Sequence, residues 1–162
     1  MSYAGYTSLL FAAVVDVLKS AAPSLTPAVD ALRVFQVTGQ EANAELPWIA
    51  ARLPVDYGTE NWVATGNLQE SFYRVEVGVA AELIGDGNGT HPYGDATTPG
   101  PLTLIDSVQD ALESARSTFL AATPRLVDYS VSAQAFQKQD GTRVVFGTIT
   151  ITFKVRFRAG NR

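Results

Sequence analysis

The chain has no cysteine, one histidine and one methionine. Without cysteine there is no disulfide framework, no thiol nucleophile and no cysteine zinc site. Charge is scarce as well: 17% of residues are charged, against the usual quarter. Net charge is −4, with a pI of about 4.9. An acidic balance argues against holding nucleic acid through phosphate contacts, which takes a basic surface. Sparse charge suits a subunit that buries surface in an assembly. Long apolar runs are missing too. Leu9–Val15 has no basic residue before it, and Asp16 and Lys19 break its continuation. That is far short of the roughly 20 residues that span a bilayer. The stretch is expected to be an amphipathic helix of a soluble protein.

What is present is globular. At 162 residues and 46% hydrophobic, a single domain with its own core is expected. Leu10, Val14, Val17, Leu18 and Ala21 share a helical face within residues 6–22, which Pro23 closes. Thr26-Pro27 has the form of an N-cap followed by proline at the first helical position, predicting a short turn to about Leu32. Arg33–Thr38 and Trp48–Leu53 read as short strands. The intervening polar stretches make residues 38–69 a long loop region, with Asp56–Asn67 rich in turn formers. A connection of that length without regular structure is usually functional or wraps a partner.

Ser71–Ile84 reads as a second long strand. Tyr73, Val75, Val77, Val79, Ala81 and Leu83 face one way; Phe72, Arg74, Glu76, Gly78, Ala80 and Glu82 face the other. Residues 85–101 hold five glycines and three prolines and read as one loop. A second helix is predicted from Leu104 to Leu120. Thr103 and Asp106 have capping-box-like spacing, Leu104, Val108, Leu112, Ala115 and Phe119 form the apolar stripe, and Pro124 ends it.

The segment from Arg125 to Arg158 carries the clearest pattern. Two strand-like runs flank Gln139-Asp140-Gly141-Thr142, and Asp-Gly between such runs signals a hairpin. In the second run Ile149, Ile151, Phe153, Val155 and Phe157 oppose Thr148, Thr150, Thr152, Lys154, Arg156 and Arg158. A strand from Thr142 to Arg158 spans roughly 55 Å at about 3.3 Å per residue, whereas a compact domain of this size is about 40 Å across. Such a strand bends, or it overhangs and lies on something else. The fold class is therefore α+β: an antiparallel or mixed sheet with a long C-terminal hairpin packed against two helices.

Catalytic patterns fail one by one. Gly85-Asp86-Gly87-Asn88-Gly89-Thr90 lacks the lysine and spacing of a phosphate loop. As a calcium loop it offers Asp86, Asn88 and Asp95 but no terminal glutamate. His91 has no Gly-x-Ser-x-Gly elbow to serve and reads as a solvated or interface residue. Asp106 and Asp110 lie at helical spacing on an exposed face, whereas acid–base work needs carboxylates in a cleft with split pKa values. Trp48 and Trp62 fit core or interface packing. The residues point to no enzyme, no cofactor and no metal. The basic row Lys154, Arg156 and Arg158 is expected to pair with Glu76 and Glu82, within one subunit or across two. A monomeric ligand-binding domain with a pocket lined by Phe72, Tyr129 and Phe153 is the competing reading.

The order of elements, with the helix Leu104–Phe119 followed by Asp128-Tyr129-Ser130-Val131 and the strand Thr148–Arg158, resembles the tail terminator proteins of long-tailed bacteriophages. Neighbouring neck proteins and tail-tube subunits share similar element orders. The resemblance implies a structural virion protein, assembled in the host cytoplasm and located at the tail neck. It would form a homohexameric ring that caps the tail tube and joins it to the head-tail connector. DNA would cross the lumen as a passenger, and no cofactor is implied. The expected interface residues are Lys154, Arg156, Arg158, Arg74, Glu76, Glu82, Trp62, His91 and Tyr93.

Overall fold

A computed structural model describes residues 3–36, 45–52, 60–63, 68–85, 90–91, 99–133, 137–138 and 144–158. The predicted α+β class is what it shows. The elements in chain order are α1 (Tyr3–Ala21), β1 (Val34–Phe35), β2 (Trp48–Arg52), β3 (Glu60–Val63), β4 (Leu68–Glu82), β5 (Ile84–Gly85), β6 (Thr90–His91), α2 (Pro101–Glu113), α3 (Arg116–Ala122), β7 (Leu126–Ala133), β8 (Gln137–Lys138) and β9 (Val144–Arg158). The main sheet runs β1-β2-β4-β9-β7, with β3 also on β4 and β8 also on β9. Among the described residues only β1 and β2 are parallel; every other pair is antiparallel.

The centre of the sheet is a ribbon. β4 and β9 pair without a break from Leu68↔Arg158 to Glu82↔Val144. At about 3.3 Å per residue, strands of 15 residues reach about 50 Å. Alternation decides which side meets the helices. Tyr73, Val75, Val77, Val79 and Ala81 on β4, with Ile149, Ile151, Phe153 and Val155 on β9, are all buried. Over them lie Leu10, Val14, Val17 and Leu18 of α1, then Leu104, Val108 and Leu112 of α2, and Phe119 of α3. Phe119 stands edge-on to Phe153 at 4.9 Å and to Tyr129 at 5.0 Å between centroids. The Ile149–Val155 row thus packs under the helices as its alternation predicts.

Several boundaries differ from expectation. The second helix is two helices, because the chain closes more tightly at Ser114 and Ala115, where Ala115 N–H donates to Leu112 O at 3.3 Å. Thr103 and Asp106 form no cap: α2 starts at Pro101 after an extended Gly100, the proline-first arrangement that needs no donor there. Nor does Thr26-Pro27 start a helix. Its peptide bond is cis, and the 3-10 turns lie on either side of it, at Ala22–Ser24 and at Ala31–Arg33, the second capped by the Asp30 carboxylate on Leu32 N–H at 2.9 Å. Ser107 Oγ instead holds Thr26, accepting from its N–H at 3.3 Å. Regular structure also interrupts the long loops, with β3 inside Asp56–Asn67 and β5–β6 inside the Gly/Pro-rich stretch. The Gln139–Thr142 turn and the Asp86, Asn88 and Asp95 positions lie outside the described residues.

Candidate assembly surface

The sheet face away from the helices holds most of the predicted interface residues, in rows fixed by the β4–β9 register. Its character changes along the ribbon. At one end Glu70 faces Arg156 and Phe72 faces Lys154; then come Arg74 with Thr152 and Glu76 with Thr150. At the other end Trp48, Ala80 and Phe146 form one row across three strands.

The ionic end closes on Glu70. Arg156 donates from Nε and Nη2 to Oε1 at 3.0 and 2.6 Å. Lys154 Nζ lies 3.0 Å from Oε2, and 6.0 Å above the Phe72 ring. The two oxygens of one carboxylate are therefore divided between two cations. The Glu70 side chain is only 4% exposed, while Lys154 is 32% and Arg156 47% exposed. The hydrogen bonds from Arg156 and then Lys154 hold the Glu70 carboxyl below its ordinary range, against the opposing effect of burial. The three groups sum to one net positive charge, carried by the more exposed pair.

This corrects the expected pairing. Glu76 lies two rows further along and binds Arg52, with Nε to Oε2 at 3.0 Å. Glu82 is opposite Val144 at the far end of the ribbon, three such rows beyond Glu76, too distant for either cation. The partner is Glu70, just before the predicted start of the strand. Carrying the alternation two residues back places Glu70 in the row of Phe72 and Arg74, which is the signal that would have found it.

At the apolar end the Trp48 and Phe146 rings meet at 5.9 Å over Ala80. Phe35, Leu46 and Val144 pack around them. Arg33 ties this corner together, with Nη2 on Glu45 Oε2 at 2.6 Å and Nη1 on Leu46 O at 3.2 Å. This second apolar cluster lies on the opposite side of the sheet from the main core.

Of the remaining predicted positions, Arg158 and Trp62 continue the rows of the ionic end by register, and His91 lies apart from them. Arg158 ends β9 opposite Leu68, Trp62 pairs with Glu70 on the far side of β4, and His91 belongs to the small β5–β6 hairpin. Tyr93 lies outside the described residues. The competing pocket does not form: Phe72 is on the helix-free face, whereas Phe153 is fully buried on the other. Tyr129 fills the space beside Phe153, with ring centroids 5.8 Å apart. Its hydroxyl sits 2.8 Å from Leu112 O and 2.7 Å from Glu113 O, so its one proton is shared between the last carbonyls of α2, of which Leu112 O also accepts Ala115 N–H. Burial raises the Tyr129 pKa.

A shallow groove of about 360 Å³ does exist, lined by Glu113, Arg116, Tyr129, Ser130 and Val131 beside the β7 edge. Asp106 and Asp110 are exposed on α2. Among the described residues no group of carboxylates and histidine is placed to hold a metal ion, and no helix is long and apolar enough to cross a membrane. No protein-family model matches this chain, and no curated protein matches it either.

Proposed function

We propose that this chain is the ring-forming tail terminator of a long-tailed bacteriophage, a homohexameric virion component that caps the tail tube and joins it to the head-tail connector. One observation carries the reading: a ribbon of 15 consecutive β4–β9 pairs whose helix-free face is ionic at one end and aromatic at the other. At about 50 Å the ribbon exceeds the roughly 40 Å breadth of a domain this size. Its outermost rows, Leu68–Glu70 and Arg156–Arg158, are flanked by β3. Such an extension has a use when it lies against a neighbour.

The role is mechanical in this reading. A ring covers the last layer of the tube and halts its growth, its loops dock on tube and connector, and DNA passes through a lumen that does not grip it. The acidic balance of the chain, −4 in net charge, fits a passage without phosphate binding.

Polymerising tail-tube protein provides the test. Added chain should stop elongation at sub-stoichiometric amounts and appear at one tube end, with a hexamer mass by native mass spectrometry. Tubes growing unchanged beside a strictly monomeric chain would refute the proposal. Co-assembly along the tube length would point to a tube subunit instead.

A further inference from the structure

Among the described residues strand β7 is the last on its side of the sheet, and its outer edge is treated differently in its two halves. Asp128 Oδ1 accepts from Tyr129 N–H at 2.9 Å and from Arg116 Nη1 at 3.2 Å. Arg116 Nη2 donates to Val127 O at 3.2 Å. The Val127 carbonyl and the Tyr129 N–H therefore point away from β9 and are capped by an ion pair. In an antiparallel ladder the outward groups recur every second residue. The register runs unbroken from Asp128 to Ala133, so Val131 and Ala133 also turn their N–H and C=O outward. Among the described residues nothing pairs with them.

An uncovered strand edge is a template for another strand, and proteins that avoid pairing place lysine or proline there. Ser130–Ala133 has neither. We propose that this half-edge is a strand-addition surface that takes β3 of a second copy of the chain, with the Arg116–Asp128 pair marking where pairing stops. The inference rests on the assembly reading above and names the contact that builds it.

Strand direction favours this occupant. β9 is antiparallel to β4 and β7 antiparallel to β9, so β7 runs with β4; β3 runs against β4. A copy related by rotation about an axis near the strand direction keeps those senses, and its β3 meets β7 antiparallel. The contact joins opposite sheet edges, the head-to-tail type that closes rings.

Length and charge agree. β3 has four residues and among the described residues pairs only with β4, and Ser130–Ala133 is the same length. Keeping the helix layers on one side of the joined sheet sets Val131 against Val63 and Ala133 against Asn61. The only charge in each strand, Asp128 and Glu60, then falls at opposite ends of the junction, with no like charges facing. β3 sits level with Lys154–Phe157 and Ser130–Ala133 level with Ile149–Thr152. That offset of about five residues per copy is the kind of stagger a closing, tilted sheet requires.

The test is assembly of the full chain by light scattering, with amide hydrogen exchange on the assembled and diluted protein. Val131→Pro and Ala133→Pro each remove an outward N–H and spare the β9 ladder. Each is expected to raise the concentration for half-assembly at least tenfold, with an unchanged circular dichroism spectrum. The Val131 and Ala133 amides should be protected in the assembly and exchange freely after dilution. Assembly with both amides unprotected, or with folded proline variants associating normally, overturns the strand pairing and leaves the ring proposal standing. A chain that stays monomeric at every concentration overturns both. If a proline variant does not fold, the exchange data on the unmodified chain decide.

Discussion

Glu70 Oε1 lies 2.6 Å from Arg156 Nη2 across the β4–β9 ladder, while Lys154 holds the other oxygen at 3.0 Å. The basic row at the end of β9 is thus anchored by a carboxylate of the same chain. What remains available for a neighbour is the half-exposed side of Arg156.

Removing Glu70 should loosen the end of the ribbon. Glu70→Gln removes the anion that Arg156 and Lys154 share, and about 1–3 kcal/mol of stability is expected to be lost. Urea unfolding measures it. A double-mutant cycle with Arg156→Met should return a coupling of at least about 0.5 kcal/mol. A coupling of zero would mean that the close contact contributes nothing.

Acid should act through the same carboxylate. Its folded pKa lies below the unfolded value, so its contribution is complete above the unfolded pKa, about 4.3, and is lost as pH falls through the folded value. Unfolding free energy measured from pH 6 down to pH 2 should fall less steeply in Glu70→Gln than in the unmodified chain. Equal slopes would remove Glu70 as a cause.

Tyr129 closes the end of α2 with its hydroxyl. Tyr129→Phe keeps the ring against Phe119 and Phe153 and leaves the Glu113 carbonyl without that donor. The expected loss is about 1 kcal/mol, read as a lower Tm, with faster exchange of amides in the last turn of α2. An unchanged Tm would show that water replaces the hydroxyl at no cost.

Two substitutions should do no harm. Thr123 Oγ1 is buried without a hydrogen-bond partner, so Thr123→Val, similar in shape, is expected to be neutral or stabilising by up to about 1 kcal/mol. At Gly78 an added Cβ meets only Ala50 O at 3.8 Å and the Trp48 ring at 3.9 Å, ordinary contact distances. Gly78→Ala should stabilise by about 0.4–1 kcal/mol by restricting the unfolded chain. Thermal melts of both variants give the sign directly, and a loss above about 1 kcal/mol in either contradicts the packing described.

Much of the fold was legible because burial follows period. Ile149 to Val155 and Tyr73 to Val79 alternate without exception, so both the strands and their core side could be read; Ala80, buried under Trp48 on the other face, departs from the pattern. The spacing of Leu10, Val14, Val17 and Leu18 gave α1 in the same way. What escaped depends on contacts between distant segments. Nothing in Ser114-Ala115 marks a helix break, for neither is glycine or proline; the stripe from Leu104 to Phe119 runs straight across it. The Thr26-Pro27 signal failed because Asp30 offers the better cap. Glu70 was missed because polar Gln69 and Glu70 disguise the start of β4, which pairing with β9 sustains. The capped half of the β7 edge was invisible for a similar reason: Arg116 and Asp128 are 12 residues apart and meet only once α3 folds back onto β7.

The claim that matters most is that this chain closes into a ring. Negative-stain electron microscopy of the purified protein at high concentration tests it most directly. Annular particles with a central hole and six-fold averages are predicted. A uniform field of small single particles, with a monomer mass at the same concentration, would contradict it.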